Sequence, residues 1–327
     1  MKQNLILFLV TSLVALGVAE GVLRLADKFA PPSYPPEPRL AELYASHPEY
    51  GYALWPSNTV QYEYPPAQPR TLTVHSNSDG FRDTRELSES DTRFRVMITG
   101  DSYVFGEGVE ESERFSDVLE RLEPEWRVDN VGMTGWGPDL MLMALEAVVE
   151  PASPDVVIFT LFTDDFRRVR ERYAGMGFPT PRFELREEQL VRVPYPRPKL
   201  WERLHLFHGI LTALSGPTGP YSGPTPSEWL LNERILDRFL ELASGHGFTP
   251  VLVYLAGPWT GRAQEERSGW VRSYAETHGV LALDLTESIQ SADPDSVYLP
   301  ENRHYGPAGH NIVAVELHRF LAQNLPD

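Results

Sequence analysis

With 29 Lys and Arg against 46 Asp and Glu, the 327-residue chain carries a formal net charge of −17, which disfavours nucleic acid as a partner. Hydrophobic residues make up 42% of it, enough for the core of one large domain or two small ones, and this composition excludes collagen, coiled coil and wholesale disorder. Cysteine is absent, which excludes disulfides, thiolate metal sites and a cysteine nucleophile.

An apolar segment follows Lys2 and predicts an export signal. Residues 5–19 read LILFLVTSLVALGVA, and small residues at Gly17-Val18-Ala19 favour cleavage before Glu20. The apolar pattern continues to Leu25, however, and makes a segment long enough to cross a bilayer as an uncleaved anchor. In either case Lys2 stays inside, so the folded part is expected outside the cytoplasm, facing the periplasm or cell exterior as an anchored domain or secreted after cleavage.

Proline clusters mark residues 30–70, where no helical period survives, and predict a stalk that lies against the domain surface. From residue 71 the pattern changes, because 71–74 alternate like a short strand and Asn77-Ser78-Asp79-Gly80 is typical of a turn. We therefore divide the chain into a signal anchor or signal peptide (1–29), a Pro-rich stalk (30–70) and a folded domain (71–327) with an insertion (167–228).

A regular alternation of strands and helices follows. Strands are predicted at 94–99, 126–131, 155–162, 249–255 and 280–285, and helices at 114–122, 139–149, 229–243, 263–277 and 307–321. Five buried strands, each followed by a helix, imply a three-layer α/β/α sandwich with a parallel sheet, whose ligands sit beyond the carboxyl ends of the strands. The Pro-rich insertion is either a lid or substrate-binding segment, or a partly ordered surface loop. Its aromatic residues could stack on sugars or pack onto the domain: Tyr173, Trp201 and Tyr221.

Four polar clusters should converge on this edge of the sheet. Three follow predicted strands and one precedes the last helix: Gly100-Asp101-Ser102, Asn130 to Gly137, Thr163-Asp164-Asp165 and Glu301 to His304. A serine combined with a histidine and a nearby acid favours an acyl-transfer triad. We favour His304 over His310 because His310 sits inside the closing helix.

These clusters resemble the motif blocks of the GDSL or SGNH hydrolase superfamily. Gly100-Asp101-Ser102 is similar to its first block, Asn130 to Gly135 to its second, Thr163-Asp164-Asp165 to its third and Glu301 to His304 to its fifth. The likeness covers roughly residues 71–327 and implies a flavodoxin-like fold. The apolar N-terminus, with the stretches 77–82 and 100–106, is similar to an exported, N-terminally anchored bacterial branch.

The resemblance implies Ser102 as the nucleophile and His304 as the general base. It also implies that Glu301 orients the histidine, although the family normally has Asp at this position and Asn302 could occupy it instead. Asp101 and Asp165 are candidates for supporting roles.

The oxyanion hole implied by the resemblance consists of the Ser102 and Gly135 backbone N–H groups and the side chain at Asp164. The family normally has Asn in that third position, and losing one such donor costs about 10²- to 10³-fold in rate. A carboxylate there repels the oxyanion unless it is protonated, which burial beside Asp165 would favour.

The pattern supports a serine-dependent ester hydrolase without a cofactor or metal, acting on an O-acylated substrate such as an envelope or exported glycan. An O-acyltransferase on the same fold differs only in the acceptor. Asp164 motivates a third reading, a catalytically disabled carbohydrate-binding or scaffold protein. A metal-dependent hydrolase that uses Asp101, Asp164, Asp165 and His304 as ligands is a further alternative. The sequence carries no signal for the oligomeric state.

Overall fold

Strands and helices alternate along the chain. The structure, a computed structural model, describes residues 2–26, 42–64, 70–169, 178, 180–194, 204–207, 210, 224–258, 261–300 and 303–325. The strands are β1 (Tyr44–His47), β2 (Gly51–Leu54), β3 (Thr59–Tyr64), β4 (Arg70–His75), β5 (Phe94–Gly100), β6 (Trp126–Gly132), β7 (Val156–Phe162), β8 (Arg182–Arg186), β9 (Gln189–Val193), β10 (Thr249–Leu255) and β11 (Leu281–Asp284). The α-helices are α1 (Lys2–Leu25), α2 (Ser102–Phe105), α3 (Phe115–Leu122), α4 (Pro138–Ala152), α5 (Asp165–Arg168), α6 (Pro226–His246), α7 (Arg262–His278), α8 (Thr286–Gln290), α9 (Pro294–Val297) and α10 (Pro307–Asn324).

The central sheet has five strands in the order β11-β10-β7-β5-β6, and all neighbouring pairs are parallel. Counted along the chain, this is the 2-1-3-4-5 order of flavodoxin-like folds, so the predicted fold class is confirmed. The order reverses at β5, whose two neighbours in the sheet are β6 and β7. Ligands of such sheets bind beyond the carboxyl ends of the strands at this reversal, which is where Ser102 lies.

Helices cover both faces of the sheet because successive strand residues point to opposite sides. Met97 and Phe159 lie in the core beneath α4, α6 and α7, whereas Ile98 and Ile158 lie in the opposite core beneath α3 and α10. All four of these side chains are fully buried. The continuous apolar runs of β5 and β7 thus reflect burial on two faces, as in other parallel sheets.

Residues 42–64, which the proline pattern assigned to the stalk, form strands that pack on the domain. β1 pairs with β2, and β3 pairs with β4, both antiparallel. Tyr50 and Tyr52 are buried and their rings contact Trp136, the residue directly after the second motif block. The proline clusters flank this segment and lie outside the described residues. Prolines exclude a helix, but they do not exclude the strands that form between the clusters. The strand expected at 71–74 is β4.

The described part of the insertion contains a β-hairpin. β8 and β9 pair antiparallel, and the turn between them uses Glu187 and Glu188 at positive φ. Phe183 on β8 is buried in the core beneath α4 and α6. Tyr173, Trp201 and Tyr221, the candidate sugar-stacking residues, lie outside the described residues.

The N-terminal helix α1 is apolar and exposed. Within the described part of the chain, residues 4–25 are the one helical segment long and apolar enough to cross a membrane. Near its end, Glu20 pairs with Arg24 at 2.6 Å and accepts a hydrogen bond from the backbone N–H of Leu206 at 2.8 Å. A helix of this length and position suits either a membrane anchor or a signal peptide.

Candidate active site

Ser102 begins a four-residue helix directly after β5. Asp101 caps this helix, and its Oδ1 accepts a hydrogen bond from the Tyr103 N–H at 2.9 Å. A side chain at Gly100 would come within 2.0 Å of Thr160 Oγ1, so the strand end requires glycine there. The turn places Ser102, 4% exposed, at the carboxyl edge of the sheet.

His304 is brought to Ser102 from the other end of the chain. Its Nε2 lies 2.7 Å from Ser102 Oγ. The Tyr103 hydroxyl donates to the Arg303 carbonyl at 2.9 Å, and the Tyr103 ring lies 5.0 Å from the His304 ring. The loop before α10 is thereby tied to the helix that carries the serine. In acyl-transfer triads a histidine base activates the serine through a hydrogen bond of this kind.

His310 has a structural position, in agreement with the choice of His304. It is buried in α10, and its Nδ1 accepts a hydrogen bond from the Phe115 N–H at 3.2 Å. Burial, aided by the nearby charge of Arg114, lowers the pKa of His310 to about 3. The imidazole is therefore neutral and links α10 to the start of α3. Glu301 and Asn302, the predicted partners of His304, lie outside the described residues.

The second motif block is fastened to the serine helix by Asn130. Its side-chain amide donates to the Val104 carbonyl at 2.7 Å, and its Oδ1 accepts from the Gly132 N–H at 3.0 Å. A side chain at Gly132 would collide with Val104. This close packing brings the turn that contains Gly135, at φ 81°, to the same edge as Ser102.

Two backbone donors are available at this edge. Within the described ranges, neither the Ser102 N–H nor the Gly135 N–H has a hydrogen-bond acceptor. Ser102 is the first residue of its helix, where backbone N–H groups have no partner within the helix. Both groups are therefore free to donate to a substrate oxygen, as an oxyanion hole requires.

Asp164, the third predicted member of the oxyanion hole, lies beside a cation. Its buried Oδ1 has no hydrogen-bond partner among the described residues and lies 3.8 Å from Arg167 Nη2. The carboxyl group with the raised pKa is its neighbour Asp165, where burial and the charge of Asp101 move the pKa well above its usual range. The structure thus places the Asp164 carboxyl group beside an arginine guanidinium.

Arg168, which the sequence analysis did not single out, ties the first and third motif blocks to Trp136, the residue after the second block. Its Nη1 donates to Asp101 Oδ2 at 2.9 Å, to Asp165 Oδ1 at 2.7 Å and to the Trp136 carbonyl at 3.1 Å. Both carboxylates are 1% exposed. Arg168 thus links Asp101, which caps the serine helix, to Asp165, the other predicted supporting residue.

Glu107 is a second residue that the sequence analysis missed. Its Oε2 lies 3.8 Å from His304 Nε2, and its Oε1 accepts a hydrogen bond from the Tyr64 hydroxyl at 2.7 Å. It stands between Gly106 and Gly108, both at positive φ. The two glycines on either side of Glu107 were the one sequence feature that marked this residue, but they did not show that its carboxylate points toward His304.

Arg82, at the end of the stretch 77–82, explains why that stretch belongs with the serine helix. The guanidinium is fully buried and donates to the carbonyls of Phe105, Gly106 and Val109. Burial and the charge of Arg114 lower its pKa to about 10. Arg82 thus fixes the loop that follows the serine helix and carries Glu107.

The chain is similar in structure to solved proteins of the G-D-S-L family, which is the family that the motifs predict. A G-D-S-L family lipolytic protein from Desulfitobacterium hafniense is 17% identical, with 70% of this chain and 100% of that chain covered and a TM-score of 0.45. A psychrotrophic esterase from Pseudoalteromonas is 11% identical (72% and 100% covered, TM-score 0.47), and an acetylxylan esterase from Geobacillus stearothermophilus is 15% identical (72% and 96% covered, TM-score 0.43). No protein-family model and no curated protein matches the chain.

Proposed function

We propose that this protein is a serine-dependent ester hydrolase of the GDSL type that works through an acyl-enzyme. The 2.7 Å contact between His304 Nε2 and Ser102 Oγ, at the order reversal of the sheet, is the observation that carries this proposal. The free backbone donors of Ser102 and Gly135 support it, because acyl transfer needs a site for the developing oxyanion.

In the proposed mechanism, His304 Nε2 takes the proton from Ser102 Oγ as the oxygen attacks the ester carbonyl. The carbonyl oxygen becomes an oxyanion that accepts hydrogen bonds from the Ser102 and Gly135 N–H groups. His304 then gives the proton to the alcohol oxygen, which leaves, and the acyl group remains on Ser102. Water, activated by the same histidine, releases the acid. Glu301 is proposed to orient His304.

The substrate is proposed to be an O-acylated envelope or exported glycan, and the enzyme is proposed to be membrane-anchored through α1 with its domain facing the periplasm or cell exterior. The apolar, exposed α1 supports this location, and secretion after cleavage is the alternative. If a sugar hydroxyl instead of water accepts the acyl group, the same residues perform O-acyl transfer.

The decisive experiment uses p-nitrophenyl acetate and a serine-reactive phosphonate with the full-length protein. Wild type should release p-nitrophenol and be labelled on Ser102, whereas Ser102→Ala should lose both. Ser90→Ala removes an exposed hydroxyl before β5, at the amino end of the sheet, and serves as the matched control. Labelling that survives in Ser102→Ala would overturn the proposal.

Asp164 favours a second candidate, a binding protein with a disabled oxyanion hole. It predicts that wild type is inactive with the ester but retains acylated glycan. The metal-dependent alternative has less support, because the carboxylates of Asp101 and Asp165 already bind the guanidinium of Arg168. Hydrolysis that EDTA abolishes and that Ser102→Ala leaves intact would favour the metal.

A further inference from the structure

We propose that Glu107 is a specificity residue that accepts hydrogen bonds from hydroxyl groups on the alcohol part of the substrate. The inference rests on the proposed function, and it assigns the ester to a hydroxyl-rich alcohol that carries no negative charge. Its basis is the position of the carboxylate, 3.8 Å from the Nε2 atom that touches the nucleophile.

Glu107 lies on the reacting side of the histidine. A triad acid holds the Nδ1 atom, whereas Nε2 exchanges the proton with serine and with the leaving alcohol. The leaving oxygen must therefore come close to His304 Nε2. A group beside that atom faces the alcohol part of the ester, so Glu107 is placed to contact substituents next to the bond that breaks.

The carboxylate is held in place before substrate arrives. The Tyr64 hydroxyl binds Oε1, and the Glu107 N–H donates to the Ser102 carbonyl at 3.0 Å. Arg82 fixes the carbonyls on either side of the residue, those of Gly106 and Val109. Such preorganisation reduces the cost of binding, since little freedom is lost when substrate contacts the group.

The chemistry of a carboxylate limits what it can recognise. An ionised carboxylate only accepts hydrogen bonds, so it pairs with hydroxyl groups and repels phosphate or carboxylate on the alcohol. Two partly exposed tyrosines lie on this side: Tyr64 binds the carboxylate, and its ring pairs with that of Tyr62, with centroids 6.1 Å apart. Amphipathic rings beside a hydrogen-bond acceptor suit the apolar face and hydroxyl edge of a polyol.

The test compares three acetyl esters that share one acyl group. Glycerol monoacetate carries free hydroxyls, 2-methoxyethyl acetate carries none, and acetylcholine carries a cation. Glu107→Gln keeps the size of the side chain and its contact with Tyr64 but removes the charge. We expect it to raise KM for glycerol monoacetate about tenfold while KM for 2-methoxyethyl acetate stays unchanged. Glu125→Gln, at an exposed acid away from the site, should change neither.

Equal losses with all three esters would overturn the inference, because Glu107 would then act through His304 and not through substrate hydroxyls. A loss confined to acetylcholine would also overturn it and assign a cationic alcohol. If wild type hydrolyses p-nitrophenyl acetate through Ser102 and Glu107→Gln keeps the wild-type ratio between esters, this inference alone fails. If wild type hydrolyses none of the esters, the proposed function fails together with it.

Discussion

Removing Arg168 should destabilise the protein because Asp101 loses its buried cation and Asp165 loses its hydrogen-bond donor. In Arg168→Met the apolar stem is kept, but Asp101 and Asp165 each lose a hydrogen bond shorter than 3 Å while remaining 1% exposed. Breaking a buried ion pair costs about 3–5 kcal/mol. Arg168 itself is 20% exposed, and solvent screening reduces the expected loss to about 3 kcal/mol of unfolding free energy.

Urea unfolding at pH 7 measures this loss, and Arg167→Met is the matched control. Arg167 has an ion-pair contact of 3.8 Å, so its variant should lose less than about 1 kcal/mol. Arg168→Met combined with Asp165→Asn should regain part of the loss, because the Asp165 carboxyl group no longer repels the neighbouring Asp101. A loss below about 1 kcal/mol in Arg168→Met, or no recovery in the double variant, would refute the argument.

Three further predictions concern single residues. Asp164→Asn should raise the single-turnover rate with p-nitrophenyl acetate about 10²-fold, because an amide donates a hydrogen bond to the oxyanion whereas a carboxylate repels it. An unchanged or lower rate would show that Asp164 is not part of the oxyanion hole. His310 has a pKa of about 3 in the folded protein against 6.5 for the free side chain, so its stabilising contribution is complete above pH 6.5 and is lost as the pH falls. Urea unfolding between pH 7 and 5 should therefore show a loss of up to about 1.4 kcal/mol per pH unit that His310→Asn lacks, and equal slopes would contradict it. Arg82→Met should lower the unfolding free energy by about 3 kcal/mol and should also lower kcat, because three carbonyls around the serine loop lose their hydrogen-bond donor. A kcat equal to that of wild type would show that the loop keeps its shape without Arg82.

The central sheet and its functional edge were predictable from the sequence. A fully buried parallel strand is a continuous apolar run, as in β7, and a turn that follows such a strand must lie at the carboxyl edge. These two rules place Ser102 and the glycine turn at Gly135 on one edge from sequence alone. They also favour His304 over His310, because a histidine inside a core-facing helix is buried by its position.

Which side chains meet around Ser102 at this edge of the sheet depended on the tertiary structure. Arg168 binds Asp101, which is 67 residues away in the chain, and Glu107 is aimed at His304 by Tyr64 from β3. Local patterns report burial and backbone conformation, but they carry no information on which distant polar groups meet.

The N-terminal strands illustrate the same difference between what local sequence predicts and what tertiary contacts decide. Short strands such as β1 and β2 have too few residues to show a clear period. Tyr52 on β2 is buried because Trp136 and Phe178, which are distant in the chain, pack against its ring. The layers of the fold and the edge that holds the serine follow from local periodicity and the rules of parallel sheets, both of which can be applied to the amino-acid sequence directly. The side chains that surround the serine could be identified only in the folded chain, because hydrogen bonds and ion pairs between distant segments exist only once those segments have come together.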